Sequence, residues 1–428
     1  MNSATAEHVF TKAAWRLVPF MALLYLISII DRLNVGFAAL TMNKDLGFSP
    51  GVFGLGAGIF FVGYSLFQVP ANFFLERVGP RRWVFLILSC WGLVSAACAL
   101  VQGPASFYVL RFVLGIAEAG LFPGIVLYLT YWFPQNYQAR LTASFMAASP
   151  FAFIIGGPLA SFLLEMDGLL GLHGWQWLFL IEAAPAIVLA AVLLRIVPDT
   201  PADATWLSAE EKALIATRVA QESPPGPREF WPALLDPRVL ILGAAYVAIG
   251  AGGYGIRLWL PQIVQGMGFS DFTTGFVVAI PYAAALLAMI AWGYSSDAHH
   301  ERVWHVAFPT LLAAAAFLVA AVARSDVVVL FALGAVVIGL DAVIGPFWSL
   351  PSAFLKGSAA AGGIALINTF GTGLGGFLGS VTIGYFKEAT GAYGSSMAVL
   401  AAALVVATVL VLTFVRVIAA GHERAAAE

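Results

Sequence analysis

The sequence predicts an all-α integral membrane protein, with twelve transmembrane helices arranged as two six-helix bundles. Three observations predict it. Hydrophobic residues make up 61% of the chain and charged residues 10%, with a mean hydropathy of +0.90; soluble domains hold only about 45–50% apolar residues. The sequence supplies twelve apolar runs long enough for a bilayer core of about 30 Å, which takes about 20 helical residues. The longest hydrophilic stretch, 196–237, leaves six runs on each side. The expected organisation is an N-terminal bundle over 1–195, a cytoplasmic linker over 196–237 and a C-terminal bundle over 238–428.

The runs fall near 15–39, 52–75, 83–102, 106–132, 141–165, 175–195, 238–264, 272–296, 303–323, 327–348, 359–386 and 394–416. The first holds the polar Asp31-Arg32-Leu-Asn34 and lacks a short apolar region ending in a small-residue cleavage site. It reads as a retained helix, not a signal peptide. The third carries Cys90 and Cys98, which lie about 12 Å apart on a helix and cannot bond to each other. The sixth holds Glu182, which reads as a structural hydrogen-bonding group near the end of that span. In the linker, Ser208-Ala-Glu-Glu211 is a capping box opening a short amphipathic surface helix, and Ser223-Pro-Pro-Gly-Pro227 is a stiff connector. In the eleventh run, Gly371, Gly373, Gly375, Gly376 and Gly379 read as a close helix-packing surface. No strand precedes them and no Lys-Ser/Thr follows, as a phosphate cradle would need.

Charge placement sets topology and excludes other classes. With both termini in the cytoplasm, fifteen of the 21 Lys and Arg residues lie on the inner side, among them Arg77, Arg81, Arg140, Arg195 and Arg302. That bias is the positive-inside pattern for an even number of spans. The net charge of −2 gives no footprint for nucleic acid. His299, His300 and His305 have no cysteine or carboxylate set at ligand spacing, so neither a metal nor a cofactor is expected. The expected partners are the lipid bilayer, a small solute and protons, and the expected state is a monomer in the inner (plasma) membrane.

An internal echo relates the two halves. After the second run an acid, Glu76, is followed by Arg81 at +5 and Trp83 at +7; after the eighth, Asp297 is followed by Arg302 and Trp304 at the same offsets. A repeat six spans apart is the trace of a transporter built from two related bundles around a midplane site.

Charges inside oily helices locate that site, because each costs about 2.5–3.5 kcal/mol on insertion scales unless it is paired, wet or used. Arg111 and Glu118 are seven apart and share a helix face, about 10 Å from one another. Asp31 and Arg32 are adjacent, so their side chains diverge by about 100°. Arg32 offers a planar fork of donors matched to a carboxylate and stays charged; Asp31 can be neutralised by a proton. The bland alternatives are a structural ion pair on the fourth helix and an interfacial cluster near the end of the first.

Glu76-Arg77-Val-Gly79-Pro-Arg81-Arg82 resembles the loop signature of the major facilitator superfamily, with Glu in place of the usual Asp. Asp31-Arg32-Leu-Asn34-Val-Gly-Phe-Ala, Arg111-Phe-Val-Leu-Gly-Ile-Ala-Glu118, Gly345-Pro-Phe-Trp348-Ser-Leu-Pro and Gly363-Ile-Ala-Leu-Ile-Asn368 resemble its anion:cation symporter family, nearest to bacterial tartrate-type carboxylate transporters. The resemblance implies Arg32 as substrate anchor, Asp31 and Glu118 as proton sites with Arg111 the electrostatic partner of Glu118, and Tyr64, Trp348 and Asn368 lining the cavity. It implies a cytoplasmic gate at Glu76, Arg77, Gly79 and Arg81, echoed by Asp297 and Arg302. Against the family pattern stand Arg257, before Trp259-Leu-Pro261, and Asp341. In this fold their helices border the central cavity, so the two are expected to pair, with Arg257 released to a second substrate carboxylate. The alternative is that Arg257 snorkels to the outer surface.

The expected function is proton-coupled uptake of an organic carboxylate, such as tartrate or a related sugar or aromatic acid, by alternating access. No ATP-binding signature or catalytic motif is present, which argues against a pump and an enzyme. An exchanger or efflux transporter of organic anions stays open as an alternative, as does a transporter-fold nutrient sensor.

Overall fold

The structure is a computed structural model and describes residues 3–220, 235–355 and 357–427. Twelve helices among them are long and apolar enough to cross a membrane: Glu7–Asp45, Pro50–Gln68, Pro80–Leu100, Pro104–Trp132, Arg140–Leu164, Gly174–Ile196, Pro237–Gln265, Asp271–His299, Val303–Val322, Asp326–Ser352, Gly362–Thr390 and Gly394–Phe414. No strand occurs among the described residues. The twelve are numbered below as spans in chain order.

The first helix begins well before the expected boundary, at Ser3. Its early turns bury Val9, Phe10, Ala13 and Leu17, and Phe10 packs 5.0 Å from Tyr137 and 6.2 Å from Phe133 between ring centroids. The surface helix Ala209–Ala220 docks beside it. Its capping box closes through Ser208 N–H to Glu211 at 2.8 Å and Glu211 N–H to the Ser208 hydroxyl at 3.2 Å. Lys12 donates to Glu211 at 2.9 Å and holds that carboxyl below the ordinary glutamate range; this exposed pair adds little stability. The proline-rich connector at 223–227 lies outside the described residues.

Four spans are interrupted, and they correspond between the halves. Span 4 lapses after Glu118 and resumes at Leu121, span 5 lapses between Met146 and Ala148, and span 10 lapses between Ala342 and Ile344. Proline removes an N–H and crowds the carbonyl four residues earlier. Counting back four from Pro123, Pro150 and Pro346 gives Ala119, Met146 and Ala342, at or beside each lapse. Span 11 has no such proline; its glycine run forms a π-helical turn at Phe370–Gly375. There the bare backbone packs closely on span 7: a Cβ on Gly375 would lie 2.6 Å from the Val247 carbonyl oxygen.

Within the N-terminal half, span 2 packs on span 4 and span 3 on span 6; within the C-terminal half, span 9 packs on spans 10 and 12. Spans 2 and 11, 5 and 8, and 1 and 7 join the halves. Lipid supplies no hydrophobic force between helices, so small residues that let backbones approach take its place. A Cβ on Gly54 would lie 2.9 Å from the Ser380 carbonyl oxygen across the junction.

Hydrogen bonds between the halves concentrate at the end opposite the chain termini. Asn43 donates to Gln262 at 3.1 Å, Ser49 and the Gly51 N–H donate to Glu388 at 3.0 and 2.6 Å, and Ser161 links the Asp271 carbonyl to the Gly275 N–H. Deeper in, Thr369 donates to Gln68 at 2.7 Å. Among the described residues, the halves share no hydrogen bond at the end that carries the termini.

Candidate functional site

Asp31 and Arg32 diverge as adjacent helical residues must. Asp31 turns to span 3, where it accepts from Trp91 Nε1 at 2.6 Å and from the Ser95 hydroxyl, and it also accepts from Asn34 at 3.2 Å. Arg32 turns to span 4 and forms an ion pair with Glu118, its Nε donating at 3.0 Å and its Nη2 to the same oxygen. The guanidinium lies over Tyr64, 4.8 Å from the ring centroid. Asp31, Arg32, Arg111, Glu118 and Tyr64 are all buried.

Arg32, not Arg111, is therefore the hydrogen-bonded partner of Glu118. Arg111 lies over the Phe60 ring at 4.8 Å, and among the described residues none of its guanidinium nitrogens finds a hydrogen-bond acceptor. A face-on arginine above an aromatic ring gains about 2 kcal/mol when desolvated, which offsets part of what the missing acceptors cost.

The C-terminal half carries a corresponding ion pair. Arg257 of span 7 forms an ion pair with Asp341 of span 10, and its guanidinium lies 4.8 Å from the Phe153 ring and 5.7 Å from that of Tyr254. Both side chains are largely shielded, so Arg257 does not snorkel outward. Phe153 belongs to span 5, which places this pair on the junction between the halves.

Glu182 departs from its expected role. It lies in the earlier half of span 6 rather than near its end, and among the described residues neither carboxylate oxygen accepts a hydrogen bond. It lines a cavity of about 20 Å³ with Asn34, Phe153, Gly156, Arg257 and Tyr282, space for about one water.

The remaining expected residues form two further groups. Trp348 meets Tyr246 edge to face at 5.1 Å, and Asn368 precedes the π-helical turn and accepts from Thr372 at 3.4 Å. The neighbouring Thr369 ties this helix to that of Tyr64 through Gln68. At the end carrying the termini, Gly79 holds a left-handed φ of +85°, which favours glycine at the sharp turn between spans 2 and 3. Arg81 reaches the Leu194 carbonyl within its own half and sits 3.6 Å from Asp199 at the start of the linker. Asp297 pairs with Arg302 at 2.6 Å within its loop, Arg77 is exposed, and the Glu76 side chain lies outside the described residues.

Sequence reasoning gave no role to Trp91, Ser95, Asn34 or Tyr282. Trp91 and Ser95 carried no signal, since both residue types are ordinary in a span. Glu182 carried one, as an acid inside the apolar run Leu-Phe-Leu-Ile-Glu182-Ala-Ala.

Twelve spans in two corresponding halves, with paired and unpaired charges buried among them, define a polytopic membrane transporter. The family model described as Major Facilitator Superfamily matches residues 21–380. A relative from Agrobacterium vitis, provisionally named a tartrate transporter, is 48% identical over 97% of this chain and 96% of its own. A quinolone resistance transporter of Acinetobacter baumannii is 42% identical over 90% of each chain. Among solved structures, a bacterial homolog of the human lysosomal transporter Spinster superposes with a TM-score of 0.78 at 17% identity, over 93% of this chain and 96% of that one. The chain belongs to the Major Facilitator Superfamily and is a transporter, not an enzyme.

Proposed function

We propose that this transporter takes up an organic carboxylate together with protons, by rocking of the units 1–195 and 238–428 about a central site, in the inner membrane with both termini in the cytoplasm. The observation that carries this reading is the buried Arg32–Glu118 pair beside Asp31 and Arg111, which has no acceptor among the described residues. Arg32 turns its Nε/Nη2 edge to Glu118. A proton on Glu118 weakens that pair, and a substrate carboxylate can then take the guanidinium. Proton and anion bind as a set, because either alone leaves a buried charge without its partner, a penalty of about 3–5 kcal/mol. Asp31, held by Trp91, Ser95 and Asn34, is the second acid of the relay. The bias of Lys and Arg toward the termini side supports the orientation, and the name of the Agrobacterium vitis relative supports a hydroxylated diacid such as tartrate.

A thermal-shift screen of purified protein against mono- and dicarboxylates at two pH values tests the reading, since a ligand bound to the fold raises its stability by mass action. Stabilisation by a dicarboxylate, stronger at the lower pH, is expected. No shift with any carboxylate contradicts it. A second reading, export of an organic anion, is favoured by the quinolone resistance relative; accumulation in inside-out but not right-side-out vesicles would select it.

A further inference from the structure

We propose that Glu182 and Asn34 form a hydroxyl-recognising subsite that makes the transporter selective for hydroxylated over plain carboxylates, an inference that rests on the carboxylate reading above. The argument is one of unmatched hydrogen-bonding capacity. Glu182 is 4% exposed and Asn34 2% exposed. Both carboxylate oxygens of Glu182 and the Asn34 carbonyl oxygen lack a donor among the described residues. The Asn34 amide gives one N–H to Asp31 at 3.2 Å, and Arg257 gives Nη2 to Asp341, which leaves its other N–H groups for a ligand carboxylate. The cavity wall thus holds three buried acceptor atoms with no bonded donor among the described residues. Buried acceptors left unsatisfied are costly, so the ligand that fits them must bring donors of its own. A carboxylate group cannot supply them, because it is an acceptor only; a hydroxyl can.

The neighbourhood sets the rest of the chemistry. Span 7 contributes Arg257, the one charged side chain of the C-terminal half in the cavity lining, and span 8 contributes Tyr282. Span 5 contributes Phe153, Gly156 and Gly157, which hold no charge. A ligand carboxylate on Arg257 would place a hydroxyl on the adjacent carbon near Glu182 and Asn34. With room for about one water, the cavity admits such a ligand only when spans 1, 5 and 6 part from spans 7 and 8, so the subsite is completed during the rocking movement. Glu182 serves in either protonation state, since a neutral carboxyl keeps acceptor capacity.

Succinate, malate and tartrate share a four-carbon diacid skeleton and differ in carrying none, one and two hydroxyls. Calorimetric titration of the purified full-length transporter with all three, at one pH, tests the subsite. The parent should prefer tartrate to succinate by about tenfold or more, the equivalent of a hydrogen bond to a charged acceptor. Glu182→Leu should bring that ratio close to one by weakening tartrate, with succinate changed less than about threefold. Glu182→Gln, which preserves shape and one acceptor, should lose part of the preference and decides the matter should the leucine variant not fold. An unchanged ratio in these variants overturns the subsite while leaving the carboxylate reading intact. A parent that binds none of the three overturns both.

Discussion

The two halves carry the same device in different company. Arg32 of span 1 pairs with Glu118 of span 4, and Arg257 of span 7 pairs with Asp341 of span 10; each guanidinium also lies over aromatic rings. Around the first pair stand two further charges from the same half, Asp31 with three donors and Arg111 with no acceptor among the described residues. Around the second, the nearby spare charge is Glu182, contributed by the opposite half. The first pair can therefore exchange partners within its own bundle, as a proton relay requires. The second lies on the junction, against Phe153 and the cavity that holds Glu182, so its surroundings belong to both halves.

The largest expected effect is at the first pair. Arg32→Ala strands Glu118 and should abolish binding while costing about 3–5 kcal/mol of stability. Arg32→Lys keeps the charge but loses the planar fork, and titration should show at least about a tenfold loss of carboxylate affinity. Unchanged affinity in the lysine variant would remove Arg32 from the site and erase the contrast between the pairs.

At the second pair the expected loss is in stability first. Arg257→Leu or Asp341→Leu alone should cost about 3 kcal/mol, and the double variant should recover most of it, because each single change leaves a buried charge alone. Thermal melts in detergent measure the cycle. Strictly additive losses would show that the pair is not coupled and that the likeness between the halves ends at geometry.

The smallest effect belongs to the loop pair outside both sites. Asp297 is 70% exposed and bonds Arg302 at 2.6 Å, so Asp297→Asn should shift stability by no more than about 1 kcal/mol. Its consequence should be conformational: cysteine labelling of cavity positions facing the termini side should rise if this loop helps close that side. Labelling equal to the parent leaves the loop as a topological signal alone.

The spans were legible because apolar run length answers directly to bilayer thickness, and the buried charges because nothing else in such runs is charged. Of their partners, Asp341 for Arg257 was legible and Arg32 for Glu118 was not. Arg111 and Glu118 share a sequence segment, but Glu118 bonds Arg32 from another helix, and a pairing across 86 residues leaves no periodicity to read. The helix lapses could have been read four residues before Pro123, Pro150 and Pro346, where the lost N–H frees a carbonyl. Glu182 was read as satisfied because the chain does not reveal which face of span 6 meets a donor. The early start of the first helix was hidden by its polar residues, which hydropathy counts against a span although Phe10 and Leu17 bury one face.

The central claim is that a proton on Glu118 frees Arg32 for the substrate. Glu118→Gln fixes the protonated state, and paired flux assays in reconstituted vesicles read the consequence. Exchange of labelled for unlabelled carboxylate should persist in the variant, while uptake driven by an imposed pH gradient should fall to the level without a gradient. Normal gradient-driven accumulation by Glu118→Gln would contradict the account.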